Sequence, residues 1–311
     1  MLSFTRRGAH AFSSWCAGED FSQTPAVQVA SALNRVRESL LRQGSCMGDV
    51  FFVHLYLQDM RDFQSVNTAY CSCFGINPPS RACVQVDLST LLPPAAMQEG
   101  DAPYPAVMLD CFAQIGSGAS LLATQMGAAC GILPSVRREV LHVRSLSEWA
   151  PVCIGPYSQA NVSGGLIFVA GQIGLVPATM KMAVDARRSV RDTAILQLQF
   201  SLAHVAACLA ALRSDISCTL AYTVYICAEA AGCAGCTEAL QRMCEEAFPS
   251  SASPCSIFAV VPFLPKNAMV EVEVVACEGA LKSRMGTQRG ECQAFVHVSL
   301  LMSFRPVRKS H

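Results

Sequence analysis

Apolar positions recur along the chain with two spacings, and the switches between them mark the elements. After Thr24-Pro25, a pair suited to an N-cap followed by proline in the first helical turn, Ala26, Val29, Ala30, Leu33, Val36 and Leu40 fall at helical spacing, and Gly44 supplies a stop. Residues 49–57 (DVFFVHLYL) are aromatic and β-branched and predict a strand. A second helix is expected over 63–74, before the breaker Asn77-Pro78-Pro79, and strands over 81–88 and 106–115. The same order then returns. A strand region over 166–176 precedes a helix carrying Ile195, Leu198, Leu202, Val205, Leu209 and Leu212, and a strand is expected over 220–227. A helix over 237–248 and strands over 256–262 and 269–277 close the series. Repetition at an offset of about 170 residues points to two related domains. Strands read as hairpins, with two helices per set, predict an α+β fold with each sheet mixed and its helices on one face. The expected division is 1–115 for the first domain, 116–149 for a small-residue linker, 150–278 for the second domain and 279–311 for a tail with one extra strand over 292–304.

Composition narrows the classes of function. Of 311 residues, 52% are hydrophobic and only 15% charged, so a large core is expected and disorder is not. With 23 basic and 23 acidic side chains, the balance argues against a general nucleic-acid or anionic-membrane binder. The most apolar long stretch, 194–212, is interrupted by Gln197, Gln199 and His204, so no membrane span is expected. The 17 cysteines, an odd number with no apolar leader before them, predict reduced thiols and a cytoplasmic protein. Two arginines and no acid before Glu19 leave a mitochondrial presequence as a second reading.

The most specific signal begins at Ala150. Ala150-Pro151-x-x-Ile154-Gly155-Pro156-Tyr157-Ser158-Gln159-Ala160, followed by Ala170-Gly171-Gln172-Ile173, resembles the opening signature of the reactive-intermediate deaminase family, also called YjgF or L-PSP endoribonuclease. Leu264-Pro265-Lys266 and Val270-Glu271-Val272-Glu273 resemble that family's last hairpin. The first repeat resembles it through Asp59-x-x-Asp62-Phe63-x-x-Val66-Asn67 and Pro79-x-Arg81-Ala82-Cys83-Val84-x-Val86. Two such units, joined by His142-Val143-x-Ser145-x-Ser147-x-Trp149-Ala150-Pro151, are similar to the C-terminal half of diphthine–ammonia ligases.

The resemblance implies a chorismate-mutase-like fold, trimeric assembly in single-domain members, and small-molecule sites at domain interfaces. It also implies hydrolysis of enamines or imines formed from amino acids, with RNA cleavage reported for a few members. Such hydrolysis needs a guanidinium to hold a carboxylate and a carboxylic side chain to exchange protons with water. Carried over by position, Glu271 and Tyr157 are the catalytic candidates, and Arg81, Cys83, Asn67 and Gly171 the substrate-binding ones. The first unit has Met108 where the family has its glutamate, and the second has Ser256 where it has its arginine. In the family these two groups lie on neighbouring strands of one sheet, so dividing them between units is not expected to rebuild a site.

Each residue has a plainer reading. Arg81 fits a surface ion pair, Glu271 and Glu273 fit a solvated strand face, and Tyr157 fits a packed turn. Cys233 and Cys236 have zinc-knuckle spacing without a second pair, the six histidines are scattered, and Ser163-Gly164-Gly165 reads as a hairpin turn; neither a metal nor a cofactor is expected. No phosphate-cradling loop is found, so this polypeptide alone is not expected to be a complete ligase. Three functions therefore stand: a tandem imine or enamine deaminase, a non-catalytic module that binds a small carboxylated metabolite or assists a separate ATP-dependent ligase in diphthamide synthesis, and an endoribonuclease. Homo-oligomerisation of the trimer type is expected by analogy.

Overall fold

A computed structural model of the protein describes residues 4–7, 10–13, 16–91, 104–115, 138–187, 189–248 and 254–281. The first half forms one mixed sheet from β1 (Phe4–Arg7), β2 (His10–Ser13), β3 (Cys16–Ala17), β4 (Val50–Leu57), β5 (Ser80–Gln85) and β6 (Val107–Gln114), in the order β1-β2-β6-β4-β5, with β3 also on β6. Helices α1 (Pro25–Arg42) and α2 (Phe63–Cys71) belong to this half. The second half forms a sheet in the order β13-β12-β14-β9-β8-β7. Its strands are β7 (Glu139–Leu141), β8 (Ala160–Ser163), β9 (Leu166–Ile173), β12 (Thr219–Cys227), β13 (Cys255–Val261) and β14 (Val270–Cys277). A separate ribbon pairs β10 (Leu175–Val176) with β11 (Lys181–Met182), and the helices are α3 (Val190–Ala211), α4 (Ala228–Ala231) and α5 (Cys236–Ala247).

The class is α+β, as the repeated pattern predicts; β1–β2 and β8–β9 close as hairpins, but the remaining main strands of each sheet do not. In each half a central strand lies between one parallel and one antiparallel neighbour: β4 between β5 and β6, β12 between β13 and β14. The reason is the intervening helix, α2 or α5. A strand that returns through a helix comes back parallel, and the next strand can then pair only on the free side of the centre. The edge strand β7 lies inside the stretch expected as linker. The remainder of that linker, 116–137, and the expected strand over 292–304 lie outside the described residues.

Strand alternation fixes what each face touches. On β4, Val53, Leu55 and Leu57 join a core with Val29, Leu33, Val36 and Leu40 of α1. Phe52 and Tyr56, on the other face, join a second core shared with the second half, which includes Phe168, Tyr225 and Val272. The helix-free faces of the two halves thus meet. Polar contacts fix the seam: Ser158 Oγ donates to the Pro78 carbonyl (2.8 Å), Asn161 Nδ2 to Ser80 Oγ (2.8 Å), and the Gln85 amide to the Phe263 carbonyl (3.1 Å). Arg138 donates to the carbonyls of Gly48 and Asn77, each at 2.8 Å.

Among the described helices α3 is long and apolar enough to cross a membrane, with a mean hydropathy of 1.6. Here it packs on β9 and β14. Gln197, one of the polar interruptions seen in the sequence, donates to the Ala183 carbonyl (3.0 Å) and accepts the Met269 amide (2.7 Å), tying the helix to the sheet's loops. Gly164 and Gly165, both with positive φ, form the two-residue turn between β8 and β9, as the sequence predicts.

Candidate functional site

A narrow cleft opens on the seam, lined by Phe63, Arg81, Cys83, Ile154, Tyr157, Gly171, Ile173, Pro265 and Glu271. Five of the six site residues expected from the sequence stand in its wall, and the sixth, Asn67, holds Arg81. Dividing arginine and glutamate between the units, which is not expected to rebuild a site, nonetheless leaves both groups in the wall of one cleft. Arg81 sits on β5, which packs against β9 of the second unit, and Gly171 of β9 lies against Glu271 of β14. Packing across the seam brings together what the sequence separates by 190 positions (81 to 271).

Arg81 is 2% exposed, not a surface ion-pair partner. Its Nη2 donates to Asn67 Oδ1 at 2.7 Å, and its guanidinium lies over the rings of Tyr70 (4.8 Å), Tyr157 (5.4 Å) and Phe63 (5.8 Å). This aromatic enclosure suits a weakly hydrated planar cation. Among the described residues its Nη1 has no hydrogen-bond partner, and Arg81 belongs to no ion pair.

Glu271 and Glu273 share one face of β14, and that face is buried, so they are not solvated acids; they are 3% and 4% exposed. The Glu271 carboxyl accepts the Cys83 amide across the seam, and its Oε2 has no partner. Burial first, and then the nearby charge of Glu273, lifts its pKa to about 8, against the opposing pull of that amide, Arg81 and His54. At neutral pH this carboxyl carries a proton. Gly171 makes room for it: a Cβ there would stand 1.7 Å from Glu271 Oε1. Burial pushes the Cys83 thiol up to about 12, so it is no nucleophile at neutral pH. Burial likewise raises the Tyr157 hydroxyl, which therefore serves as a neutral hydrogen-bonding group.

Strand register confirms which positions correspond. Tyr56 faces Met108 as Tyr225 faces Glu271, and Val53 faces Arg81 as Tyr222 faces Ser256. Met108 is buried in the core and Ser256 is exposed, so the reciprocal combination offers neither group. Among the described residues no three His, Cys, Asp or Glu side chains gather as a metal site.

The family model described as Endoribonuclease L-PSP matches residues 13–98 and 147–278. The chain belongs to the L-PSP family. Both matched segments fall where the two sheets lie, so this L-PSP chain is a tandem. It is 27% identical over 268 residues to the diphthine–ammonia ligase of Schizosaccharomyces pombe, covering 84% of this chain but 37% of that protein. Against Reactive Intermediate Deaminase A, chloroplastic, of Arabidopsis thaliana the identity is 31% over 142 residues, or 46% of this chain and 67% of that one. The chain thus spans little more than a third of the ligase's length. A crystal structure of chorismatase superposes with a TM-score of 0.57 at 14% identity, over 89% of this chain and 77% of that one, which supports the fold of the whole tandem.

One buried group escaped the sequence reading. His54, counted there among scattered histidines, stands in the seam, 2.7 Å from Asp110 and 3.2 Å from Glu273. The signal was available: it is the sole ionisable side chain in the apolar run VFFVHLYL before the terminal tyrosine and leucine, and Asp110 interrupts VMLDCFAQ in the same way.

Proposed function

We propose that the cleft hydrolyses imines of 2-oxo acids, with one site per chain assembled from both units. The observation that carries this is the pair of unsatisfied polar atoms in one cleft, Arg81 Nη1 and Glu271 Oε2. Leaving a buried donor without a partner costs on the order of 1–3 kcal/mol, more when it is charged, so a ligand that completes both recovers that loss. A small molecule carrying a carboxylate next to a C=N bond matches them: the carboxylate meets the guanidinium and the nitrogen meets the protonated acid.

Glu271 donates its proton to the imine nitrogen as water attacks the carbon, forming a C–O bond and leaving C–NH2. The Glu271 carboxylate takes up the proton released by the attacking water. The acid then returns a proton to nitrogen, the C–N bond breaks, and ammonia leaves as the second hydroxyl proton passes back to Glu271. The products are a 2-oxo acid and ammonia, and the acid is restored. A carboxyl poised near neutral pH serves both directions of proton transfer. A relative from Capra hircus bears the name 2-iminobutanoate/2-iminopropanoate deaminase, which matches this chemistry.

The test is to generate 2-iminobutanoate in situ with an amino-acid oxidase and trap it with semicarbazide. Wild type diverts imine from the semicarbazone to 2-oxobutanoate, and Glu271→Gln and Arg81→Ala do not. Wild type with no effect on partition, or variants equal to wild type, refutes the proposal. A second reading draws on the match to the ligase over 84% of this chain: the tandem binds a carboxylated intermediate in support of an ATP-dependent ligase. Co-purification with such a ligase, without imine turnover, favours it.

A further inference from the structure

Behind the cleft, and outside its lining, lies a buried chain of polar groups that crosses the seam. His54 Nδ1 meets Asp110 Oδ1 at 2.7 Å and His54 Nε2 meets Glu273 Oε1 at 3.2 Å. Tyr56 donates to the other Asp110 oxygen at 2.9 Å, and the Tyr225 hydroxyl lies close to Glu273. The two acids occupy corresponding positions, Asp110 facing His54 and Glu273 facing Thr223, and so do the two tyrosines. Each unit therefore brings an acid and a tyrosine to this chain of groups, and the first adds the imidazole of His54. Burial alone would push the imidazole down, but Asp110 and Glu273 together lift it to about 10, so it is an imidazolium at neutral pH.

The setting is apolar. Phe52, Phe112 and Phe168 line the small cavity beside His54 and Glu273. A buried ion group in such surroundings is a poor stability device, since apolar residues of similar volume do as well or better. What it does well is fix a charge at a fixed place, and Glu273 lies two residues from Glu271 on the same strand face.

We propose that His54 and Asp110 are positioning residues for Glu271: they hold Glu273 in place behind it and set the net charge against which the acid of the cleft keeps its proton. The proposal rests on reading Glu271 as the proton carrier. The groups facing Glu271 are Glu273 on its own strand, His54 from β4, Arg81 and Cys83 from β5, Tyr157 from the loop before β8, and Tyr225 from β12. Those facing His54 are Asp110 from β6, Glu273 from β14, and Tyr56 from its own strand. Removing the cation makes Glu271 hold its proton more tightly, and removing Asp110, with Glu273 still holding the imidazole charged, makes it hold the proton less tightly. A purely structural role gives no reason for opposite signs.

The experiment is a pH titration of the Glu271 carboxyl by carbon-13 NMR on the full chain, the signal assigned by its loss in Glu271→Gln. We expect His54→Gln to raise the midpoint by about one pH unit, a tenfold change in proton affinity, and Asp110→Asn to lower it by about as much. Movement in the same direction in both, or no movement in either, overturns the proposal. If His54→Gln does not fold, Asp110→Asn alone decides, because it leaves the imidazole in place. Opposite shifts without imine turnover by wild type would sink the proposed activity and leave this wiring standing. Turnover with unmoved titrations would do the reverse.

Discussion

At the scale of single residues, the site depends on side chains whose freedom has been removed by others. Asn67 and three aromatic rings hold the Arg81 guanidinium, and the missing side chain of Gly171 admits the Glu271 carboxyl. Because a Cβ at 171 would fall 1.7 Å from Glu271 Oε1, Gly171→Ala is expected to expel the carboxyl from its seat. Imine turnover should fall by at least about 100-fold, since a misplaced proton carrier loses most of its acid–base contribution. Thermal unfolding should move little, because the backbone at 171 is extended and accepts alanine. Retained turnover in Gly171→Ala would mean that Glu271 is not the proton carrier. Arg81, Glu271, Tyr157 and Gly171, which line the cleft, can be singled out in the sequence because the motifs around them are local.

At the scale of elements, periodicity located the helices and most strands, yet it could not say how the strands pair. A run such as VFFVHLYL is buried on both faces, so it shows no alternation from which to read a side. Only once Val53, Leu55 and Leu57 turn to α1 does it follow that His54 turns to the seam. The convergence of Arg81 with Glu271 was illegible for the same reason: it depends on β5 of one unit packing on β9 of the other, a contact between distant segments that no local pattern records. Arg138 tests that packing. It spends two hydrogen bonds on carbonyls of the first unit from just ahead of β7, and Arg138→Met leaves those carbonyls without a donor. The expected loss is roughly 1 kcal/mol of unfolding free energy, read by urea denaturation, with imine KM raised as the seam loosens. An unchanged urea midpoint would show that the seam is held without it.

At the scale of the whole molecule, the seam gathers charge that apolar surroundings make sensitive to pH. Glu271 keeps a proton up to about pH 8 that the unfolded chain releases near 4.5, so its contribution to stability falls as pH rises between those values. His54, raised to about 10, contributes stability that is complete below about 6.5 and is lost as pH climbs toward 10. His204, lowered by burial to about 4, opposes both at the acid end, since below about 6.5 the unfolded chain takes up a proton that the folded imidazole refuses until about 4. The melting temperature is therefore expected to decline from pH 6.5 to pH 9. Glu271→Gln should lessen the decline up to about pH 8, and His54→Gln should lessen it over the whole range. A melting temperature that rises over this range would contradict the assignment of charge in the seam.

All of this turns on one arrangement, a guanidinium from the first unit and an acid from the second facing the same ligand. Crystals of the protein soaked with 2-oxobutanoate test it most directly. The ligand is expected in the cleft, its carboxylate on Arg81 Nη1 and its keto oxygen toward Glu271. A ligand bound elsewhere, or seated against only one unit with Arg81 or Glu271 untouched, would contradict it.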